Sequence, residues 1–334
     1  MFFVKSNKPL RVLYITSEWP TEEHPHWAPF VVQQIRFIQQ AGVDTEVYHF
    51  RGRKNPLNYI KFWFELRKCY NLKTFDIIHV HWGQSALLAL GSGVPLVITY
   101  QGSDLQGYIG EDGKFTLSGR VLQWISANVS RFASALIVVS ENLAQYLPDP
   151  NRAKVIPSGI DFDLFKPTLK KEARSLLNLP LDKKLVLFAA NPRNPIKRHY
   201  LAVEAVSSLN QRVGNVELIT VSNVPHTQIP LYMSACDVFI LTSKHEGSPA
   251  VIKEALACNL PVVAVDVGDI RHRLEDIEGC VVCKDDQPET IAEGLEYALK
   301  FNESNTFNGR DKVRILDEKQ VAAKIIDLYY QILK

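Results

Sequence analysis

The stretch Asp237–Leu274, DVFILTSKHEGSPAVIKEALACNLPVVAVDVGDIRHRL, decides the fold of this chain. It begins with a short apolar strand, DVFILT, continues through a polar loop, SKHEGSP, and enters a helical pattern near Ala250. A second apolar strand, PVVAVD, follows. This alternation predicts a β-α-β unit with two parallel strands. In such units, ligands bind where loops follow the carboxyl ends of the strands.

The same alternation runs through both halves of the 334-residue chain. Apolar strand patterns in the first half cover residues 10–16, 45–50, 76–81, 95–100 and 135–140. Those in the second half begin at residues 184, 216, 237 and 261. Residues 154–167, KVIPSGIDFDLFKP, carry prolines and a glycine that are typical of a connection. The sequence therefore predicts an α/β protein with two doubly wound, Rossmann-like domains and a cleft between them.

The predicted domain limits follow from this division and from a usual size of about 150 residues per domain. Residues 1–160 form the first domain and residues 161–317 the second. Residues 318–334 form a C-terminal helix, which we expect to pack back on the first domain.

Several common catalytic motifs are missing from the sequence. No G-x-G-x-x-G follows the first strand of either half, and Gly91-Ser-Gly93 precedes a strand instead of following one. The sequence contains no P-loop, no G-x-S-x-G elbow and no H-E-x-x-H. These absences argue against a dinucleotide-dependent dehydrogenase, a P-loop enzyme, an α/β-hydrolase and a zinc protease.

Composition points to a globular protein of a reducing compartment. A net charge of +2 argues against nucleic acid as a partner. The N-terminus lacks the apolar region of a signal peptide, and no run of 18 apolar residues is present, so we expect a cytoplasmic protein. Five cysteines include one close pair, Cys280 and Cys283. No second ligand pair accompanies them, so we interpret them as part of a short strand instead of a zinc site.

Glu246 and Glu254 mark a candidate ligand site in the decisive stretch. Glu246 lies in the loop after the strand, and Glu254 lies early in the helix. Carboxylates accept hydrogen bonds from sugar hydroxyls, whereas N–H groups at a helix start bind phosphate. The N–H donors expected here belong to Ser248, Ala250 and Val251. A ligand that is both hydroxyl-rich and anionic, such as a nucleotide sugar, satisfies both kinds of group.

The stretch resembles the E-x7-E signature of the large retaining glycosyltransferase family 4, which has the GT-B fold. The signature here runs from Glu246 to Glu254 and continues as ALACNLPVVAVDVGDI. IPSGIDFDLFKP resembles the family's interdomain connection, and DIIHVHWG and VITYQGSD fall where its N-domain active-site segments lie. The resemblance implies a retaining, metal-independent enzyme of the bacterial surface-polysaccharide type. Such an enzyme moves a sugar from a nucleotide-sugar donor to a glycan or lipid-linked glycan, and it needs no cofactor.

The resemblance also implies roles on the donor side. Glu246 would contact the hydroxyls of the transferred sugar as a catalytic residue, and Glu254 would accept from the ribose hydroxyls. The neighbouring donor-binding residues would be Gly247, Ser248, Ala250 and Val251.

Family members supply cations to the diphosphate from the loop after the first strand of the second domain, as an arginine with a lysine six residues later. In ANPRNPIKRH, Lys197 matches the lysine and is a predicted catalytic residue. The arginine position falls on Asn191, which departs from the pattern. Arg193, two residues later, either takes over the role or is a surface arginine.

On the acceptor side, family members often have a histidine ahead of Gly-Ser/Thr-Asp. This chain has Gln101 there, which cannot transfer protons near neutral pH but can orient a hydroxyl. Asp104 is expected either to contact the acceptor or to cap a turn. His81 is either a site residue or a buried histidine. The loop Glu18–Pro29, which carries Trp27 and the histidines 24 and 26, is expected to shape the acceptor site.

Two further motifs need interpretation. Asp161-Phe-Asp163 matches the D-x-D pattern of another glycosyltransferase fold, but it lies in the connection, so we expect no metal there. Residues 51–73 carry seven basic residues, one acidic residue and five aromatics. They are interpreted either as a helix packed on the sheet or as a peripheral membrane contact. In the second interpretation the lipid-facing residues would be Tyr59, Lys61, Phe62, Trp63, Arg67 and Lys68.

Two other functions stay open on the sequence. One is another GT-B enzyme, such as a nucleotide-sugar epimerase or a sugar phosphorylase, although the pyridoxal lysine signature of a phosphorylase is missing. The other is a non-catalytic module that binds a nucleotide sugar, which the departures at Asn191 and Gln101 would allow.

Overall fold

The structure is a computed structural model and describes residues 8–25, 27–52, 55–107, 115–304 and 306–334. His26 of the predicted acceptor loop and residues 53–54 of the basic segment lie outside these ranges. The chain divides into two compact units. The first comprises the described residues up to Gly159 together with Glu318–Lys334, and the second comprises Ile160–Asp317.

The first unit is built on a parallel sheet that has six strands within the described ranges, in the order β2-β1-β3-β4-β5-β6. The strands are β1 (Arg11–Thr16), β2 (Asp44–His49), β3 (Ile77–His81), β4 (Leu96–Tyr100), β5 (Ala135–Val138) and β6 (Ala153–Val155). The helices are α1 (Pro29–Gln40), α2 (Pro56–Cys69), α3 (Ser103–Gln106), α4 (Leu117–Val129) and α5 (Glu141–Ala144).

The second unit has a parallel sheet of five strands among the residues described, in the order β11-β10-β9-β7-β8. The strands are β7 (Lys184–Ala189), β8 (Val216–Val221), β9 (Val238–Leu241), β10 (Val262–Val265) and β11 (Val281–Cys283). The helices are α6 (Lys170–Leu176), α7 (His199–Val213), α8 (Ile229–Ala235), α9 (Ala250–Ala257), α10 (Ile270–Leu274), α11 (Pro288–Ser304) and α12 (Gly309–Lys312). The C-terminal helix α13 (Glu318–Ile332) belongs to the first unit.

The first sheet is buried on both faces, which is typical of parallel sheets. The four residues 12–15 of β1 are fully buried, so apolar side chains are covered on both faces of the strand. On the first sheet, α1 and α13 cover one face. Helices α2 and α4 cover the other face together with a 3₁₀ segment, Gly83–Leu88. The prediction of two α/β units with parallel sheets is confirmed.

The contacts of helix α2 bear on the two interpretations of residues 51–73. Tyr59 and Phe62 pack against the ring of Phe50, with centroid separations of 5.4 and 5.5 Å. Trp63 donates from Nε1 to a backbone carbonyl at 3.1 Å, and the Arg67 guanidinium donates to three backbone carbonyls. For these aromatic rings and Arg67 the structure shows the first of the two interpretations, a helix packed on the sheet, and a membrane contact of this segment stays a prediction. No helix within the described ranges is long and apolar enough to cross a membrane.

A buried chain of hydrogen bonds ties α13 to the first sheet. The Tyr329 hydroxyl lies 2.6 Å from the Tyr14 hydroxyl and 2.5 Å from Nδ1 of His79. Nε2 of His79 lies 2.7 Å from the Thr99 hydroxyl. Burial and the neighbouring His81 hold the pKa of His79 well below its usual value, so its ring is neutral. This series of hydrogen bonds therefore joins β1, β3 and β4 to α13. Its atoms are buried, so a lost bond would not be replaced by a bond to solvent water.

Tyr329→Phe tests this anchor. Removing the hydroxyl leaves polar atoms of Tyr14 and His79 buried with one partner fewer, which should lower the free energy of unfolding by about 1–3 kcal/mol. Tyr330→Phe is the matched control, because Tyr330 is its neighbour on α13 and is 51% exposed. Urea unfolding should show a change within about 0.5 kcal/mol for the control. Equal effects of the two substitutions would contradict the anchoring role.

Candidate active site

The candidate site of the second unit forms where the loops after β7 and β9 meet. Lys197 follows β7 and Glu246 follows β9, and these two strands are neighbours in the sheet. The Lys197 Nζ lies 2.5 Å from Oε1 of Glu246. The side chains are only 30% and 14% exposed. The structure thus brings two predicted catalytic residues into one ion pair at the carboxyl edge of the sheet.

Backbone contacts fix the position of Lys197. The Thr242 hydroxyl donates to the Lys197 carbonyl at 2.8 Å, and the Lys244 N–H donates to the Ile196 carbonyl at 2.8 Å. Both bonds join the loop after β7 to the end of β9. Arg198, next in the chain, adopts a left-handed backbone conformation with φ of 49°. The ammonium of Lys197 is therefore held by a loop that is already ordered.

Asn191 and Arg193 occupy the same loop but contribute differently. The Asn191 side chain accepts from the Arg193 N–H at 3.0 Å, so it shapes the turn. The Arg193 side chain is exposed and makes no hydrogen bond or ion pair within the described ranges. Arg198, which sequence analysis did not single out, donates to the Thr242 carbonyl at 2.7 Å and pairs with Asp286. Direct binding of a donor by Asn191 or Arg193 stays a prediction.

The loop that carries Glu246 packs against the loop after β10. Asp269 donates its N–H to the Gly247 carbonyl at 3.2 Å and accepts from the Ser248 hydroxyl at 2.8 Å. Gly268 has φ of +62°, and a Cβ there would lie 2.5 Å from the Gly247 carbonyl oxygen. Only glycine fits such a close backbone approach without strain. The Ser248 hydroxyl is thus already engaged, which leaves its N–H for a ligand.

Helix α9 begins directly after this loop. Its N-cap is Pro249, and no side chain caps the helix. The backbone N–H groups of Ser248, Ala250 and Val251 find no acceptor in the part of the chain that the structure describes. Unused N–H groups at a helix start carry partial positive charge and suit an anion. The start of α9 therefore offers the N–H donors that the sequence analysis predicted for a diphosphate.

Glu254, one turn into α9, has a partner that the sequence did not reveal. His226 follows β8, and its Nε2 lies 2.9 Å from Oε1 of Glu254. Its ring also lies against Phe165, with centroids 5.1 Å apart. Burial lowers the pKa of His226, but the hydrogen bond and charge of Glu254, with the charge of Asp161, outweigh it and raise the pKa. A histidine 28 residues away in sequence carries no local signal of this contact.

His245 and the D-x-D motif complete the second unit. Nε2 of His245 is buried without a hydrogen-bond partner among the described residues, and burial lowers its pKa. The Asp161 carboxylate accepts from the N–H groups of Asp163 and Leu164 at 3.0 Å each, so it caps a turn. In the described ranges, no group of three or more His, Cys, Asp or Glu side chains is placed to hold a metal ion.

In the first unit, the carboxyl ends of β3 and β4 bring His81 and Gln101 together. Nδ1 of His81 lies 2.9 Å from Nε2 of Gln101. Nε2 of His81 is buried with no partner in the described part of the chain. Burial lowers the pKa of His81 to about 3, so the ring is neutral. The structure therefore shows the buried-histidine arrangement, and Gln101 is the partly exposed member of the pair.

Asp104 is fully buried beneath this pair. Its carboxylate accepts backbone N–H bonds from Gly83 at 2.8 Å, Gln101 at 3.1 Å and Gly102 at 2.9 Å. Burial raises the pKa of Asp104, and these bonds oppose the rise. The structure therefore shows the turn-capping arrangement, and a catalytic contact of Asp104 stays a prediction.

Trp27, predicted on the acceptor side, is 37% exposed. Its ring stacks on His24 with centroids 4.1 Å apart. The Arg51 guanidinium lies 4.8 Å from the Trp27 centroid. Glu18 in the same loop was not singled out from sequence, and burial, with the charge of Asp104, raises its pKa.

Two family models match the chain. Residues 8–164 match the model described as Glycosyltransferase Family 4. Residues 213–308 match the model described as Glycosyl transferases group 1. Together, the two models and the curated relatives below support a glycosyltransferase of the family 4 type.

Curated relatives are glycosyltransferases as well. TuaC of Bacillus subtilis (strain 168), named as a teichuronic acid biosynthesis glycosyltransferase, is 26% identical over 328 residues, which cover 78% of this chain and 82% of TuaC. An Escherichia coli enzyme named UDP-Gal:alpha-D-GlcNAc-diphosphoundecaprenol alpha-1,3-galactosyltransferase is 25% identical over 244 residues, which cover 62% of each chain. These relatives do not favour the epimerase or the non-catalytic alternative.

Solved structures show the same fold. HepE of Anabaena in complex with UDP-glucose matches with a TM-score of 0.69 and 18% identity, covering 96% of this chain and 100% of HepE. At this identity the likeness concerns the fold alone, and it supports the GT-B assignment.

The His226–Glu254 pair predicts a pH-dependent stability. Because the folded pKa of His226 lies above its ordinary value of 6.5, the pair stabilises the fold fully below that value. The contribution is lost as pH rises through the raised pKa. His226→Gln keeps an N–H donor but cannot titrate, so the stability advantage of the natural protein should be larger near pH 5.5 than near pH 8.5, at about 25 °C. Urea unfolding of both proteins at the two pH values measures this difference in the free energy of unfolding.

His272→Gln is the control, because the His272 side chain is 84% exposed. Its effect on the free energy of unfolding should not change between the two pH values. A difference between the natural protein and His226→Gln that stays constant with pH would contradict the ion pair.

Proposed function

We propose that this glycosyltransferase is retaining and metal-independent, and that it transfers a sugar from a nucleotide-sugar donor to a glycan or lipid-linked glycan. The product would belong to a bacterial surface polysaccharide. A lipid-linked acceptor would bring the enzyme to the inner face of the membrane. Retention is what the family resemblance implies, and the donor and acceptor classes are supported by the relatives below.

The observation that carries the proposal is the Lys197–Glu246 pair beside the start of α9. The 2.5 Å contact joins a cation to a carboxylate in the loop that leads to α9, whose first N–H groups find no acceptor among the described residues. A nucleotide sugar needs this combination where its diphosphate meets its sugar. The Lys197 ammonium and the N–H groups would neutralise the diphosphate, and Glu246 would accept from sugar hydroxyls.

The relatives support the substrate classes. The Escherichia coli enzyme is named for UDP-Gal and a diphosphoundecaprenol acceptor, and TuaC is named for teichuronic acid biosynthesis. HepE was solved with UDP-glucose. From these names we propose a uridine diphosphate sugar as the donor class, with Glu254 accepting from its ribose hydroxyls.

In the proposed reaction, an acceptor hydroxyl oxygen bonds to the anomeric carbon on the side from which the diphosphate departs. The bond between that carbon and the diphosphate oxygen breaks, and the leaving phosphate oxygen takes the hydroxyl proton. Charge on the diphosphate grows as the bond breaks, so Lys197 acts mainly in the transition state. Gln101, held in place by His81, would orient the acceptor hydroxyl by hydrogen bonding.

The two glutamates should respond differently to substitution. Glu254→Gln removes a charged acceptor from the nucleotide, so UDP should bind more weakly by about 1–3 kcal/mol. Glu246→Gln alters a contact made only by the transferred sugar, so UDP affinity should hold. Turnover should fall by on the order of 10², because a shift of the reacting carbon by about 1 Å costs that much. Calorimetric titration of UDP and turnover measurements give both quantities.

Glu204→Gln is the control for this comparison, because Glu204 is an exposed glutamate on α7 of the same unit. It should change neither quantity. If Glu246→Gln weakens UDP binding as much as Glu254→Gln does, the assigned roles are exchanged or shared. If neither variant changes binding or turnover, the proposed donor site is refuted.

Metal independence has its own test. Because Lys197 and the start of α9 would supply the positive charge, turnover should be unchanged in excess chelator. Loss of activity with chelator, with recovery on addition of magnesium or manganese, would contradict the proposal.

A further inference from the structure

Helix α2 presents an apolar face to solvent on the side away from its packed residues. Leu57, Ile60 and Phe64 are 68%, 57% and 57% exposed. Their spacing of three and four residues places them on one stripe of the helix. A stripe of three large apolar side chains in water is unfavourable unless another surface covers it.

Helix α4 presents a second stripe of the same kind. Leu117, Val121 and Trp124 are 80%, 52% and 67% exposed and again follow helical spacing. Nothing in the sequence analysis singled out this helix. Its inward side packs beneath the sheet core, with Ala127 and Val129 buried.

The two stripes lie on the same side of the first sheet. Both helices contact the 3₁₀ segment Gly83–Leu88, which lies between them. From α2, Trp63 donates to the Leu90 carbonyl just beyond that segment at 3.1 Å. From α4, the Ser126 hydroxyl donates to the Gln84 side chain at 3.2 Å. Helices α2 and α4 therefore flank the same segment on one side of the first sheet.

Exposed basic residues occur in the same two segments as these stripes, and one of them, Lys61, pairs with Glu65 at 3.5 Å. The segment 55–73 contributes Lys61, Lys68 and Lys73, all exposed, against one acidic residue, Glu65. The segment 115–134 contributes two exposed arginines, Arg120 and Arg131, and no acidic residue. Apolar stripes bordered by cations are complementary to a bilayer surface with anionic headgroups.

A groove of about 490 Å³ lies at the C-terminal end of α2 and is lined by Lys68 and Lys73 with Tyr70, Gly91 and Ser92. Lys73 precedes β3 and Gly91 precedes β4, so the groove is at the amino edge of the sheet. The candidate acceptor residues His81 and Gln101 lie at the carboxyl edge. Binding of headgroup phosphates in the groove would therefore leave the carboxyl edge uncovered.

We infer that the outward faces of α2 and α4, with the Lys68–Lys73 groove, form one docking surface for an anionic lipid bilayer. Contact is peripheral: the apolar side chains enter the headgroup layer and the cations meet lipid phosphates. Trp124 is suited to this depth, since its ring is apolar and its N–H is polar. The inference deepens the proposed function by naming the surface through which the enzyme would approach a lipid-linked acceptor.

Sedimentation of the full chain with vesicles tests the inference. The natural protein should bind phosphatidylglycerol–phosphatidylcholine vesicles and bind pure phosphatidylcholine vesicles far more weakly. Lys68→Gln with Lys73→Gln should lower the partition coefficient by about 25-fold at low salt, because each cation contributes about fivefold. Trp124→Ser and Phe64→Ser should each lower it by about tenfold, by removing a side chain that is buried in the headgroup layer.

Leu176→Ser is the matched control, because Leu176 is an apolar residue 70% exposed on α6 of the second unit. It should leave vesicle binding unchanged. Thermal unfolding and UDP titration of every variant show whether it is folded and whether the donor site is intact. If Glu254→Gln loses UDP binding but still binds vesicles, the result bears on the proposed donor site. It leaves the inferred docking surface unaffected.

Three outcomes overturn the inference. The first is a natural protein that binds neither kind of vesicle, or binds both equally. The second is unchanged binding when Trp124 and Phe64 are replaced. The third is a natural protein that self-associates in sedimentation velocity through these residues, with Trp124→Ser monomeric, which would make the surface an interface between two copies.

Discussion

Adjacent pairing of β7 and β9 is the constraint on which the candidate donor site depends. β8 lies between these strands in the chain but pairs on the other side of β7, so the connections diverge at that point of the sheet. Loops that leave neighbouring parallel strands at such a point open a crevice at the carboxyl edge. Lys197 and Glu246, 49 residues apart, meet across it because the strands beneath them are fixed by backbone hydrogen bonds.

Each carboxylate of the predicted E-x7-E signature has a basic partner in the structure. Glu246 pairs with Lys197, and Glu254 pairs with His226. A carboxylate that is nearly nine-tenths covered would be costly without such a partner. The partners also keep the local charge near neutral, so a diphosphate is not repelled. A nucleotide sugar would share these partners with the carboxylates, which makes the site responsive to the ligand and to pH.

Sequence patterns predicted the parts of the fold that rest on local periodicity. The strand ahead of Glu246 and the helix that begins at Ala250 lie where expected. The three-residue strand β6 was missed, because its residues are largely exposed and carry no apolar run. On α2 the sequence left two interpretations open, because both sides carry aromatic or aliphatic residues and only packing on Phe50 distinguishes them. The contact of His226 depends on tertiary structure, which no spacing encodes.

The two carboxyl edges differ in charge, and the difference follows from burial. In the first unit, His81 is neutral because burial lowers its pKa to about 3, and Asp104 is enclosed by backbone N–H groups, so the edge presents Gln101 and little charge. In the second unit, the partly exposed Lys197 is paired with Glu246, and the start of α9 carries the partial positive charge of its N–H groups. Under the proposed function, the uncharged polar edge suits a hydroxyl-bearing acceptor, and the edge with paired charges and N–H groups suits a diphosphate. Gln101, which stands where the resemblance implies a histidine, gives this edge hydrogen-bonding groups without adding a titrating one.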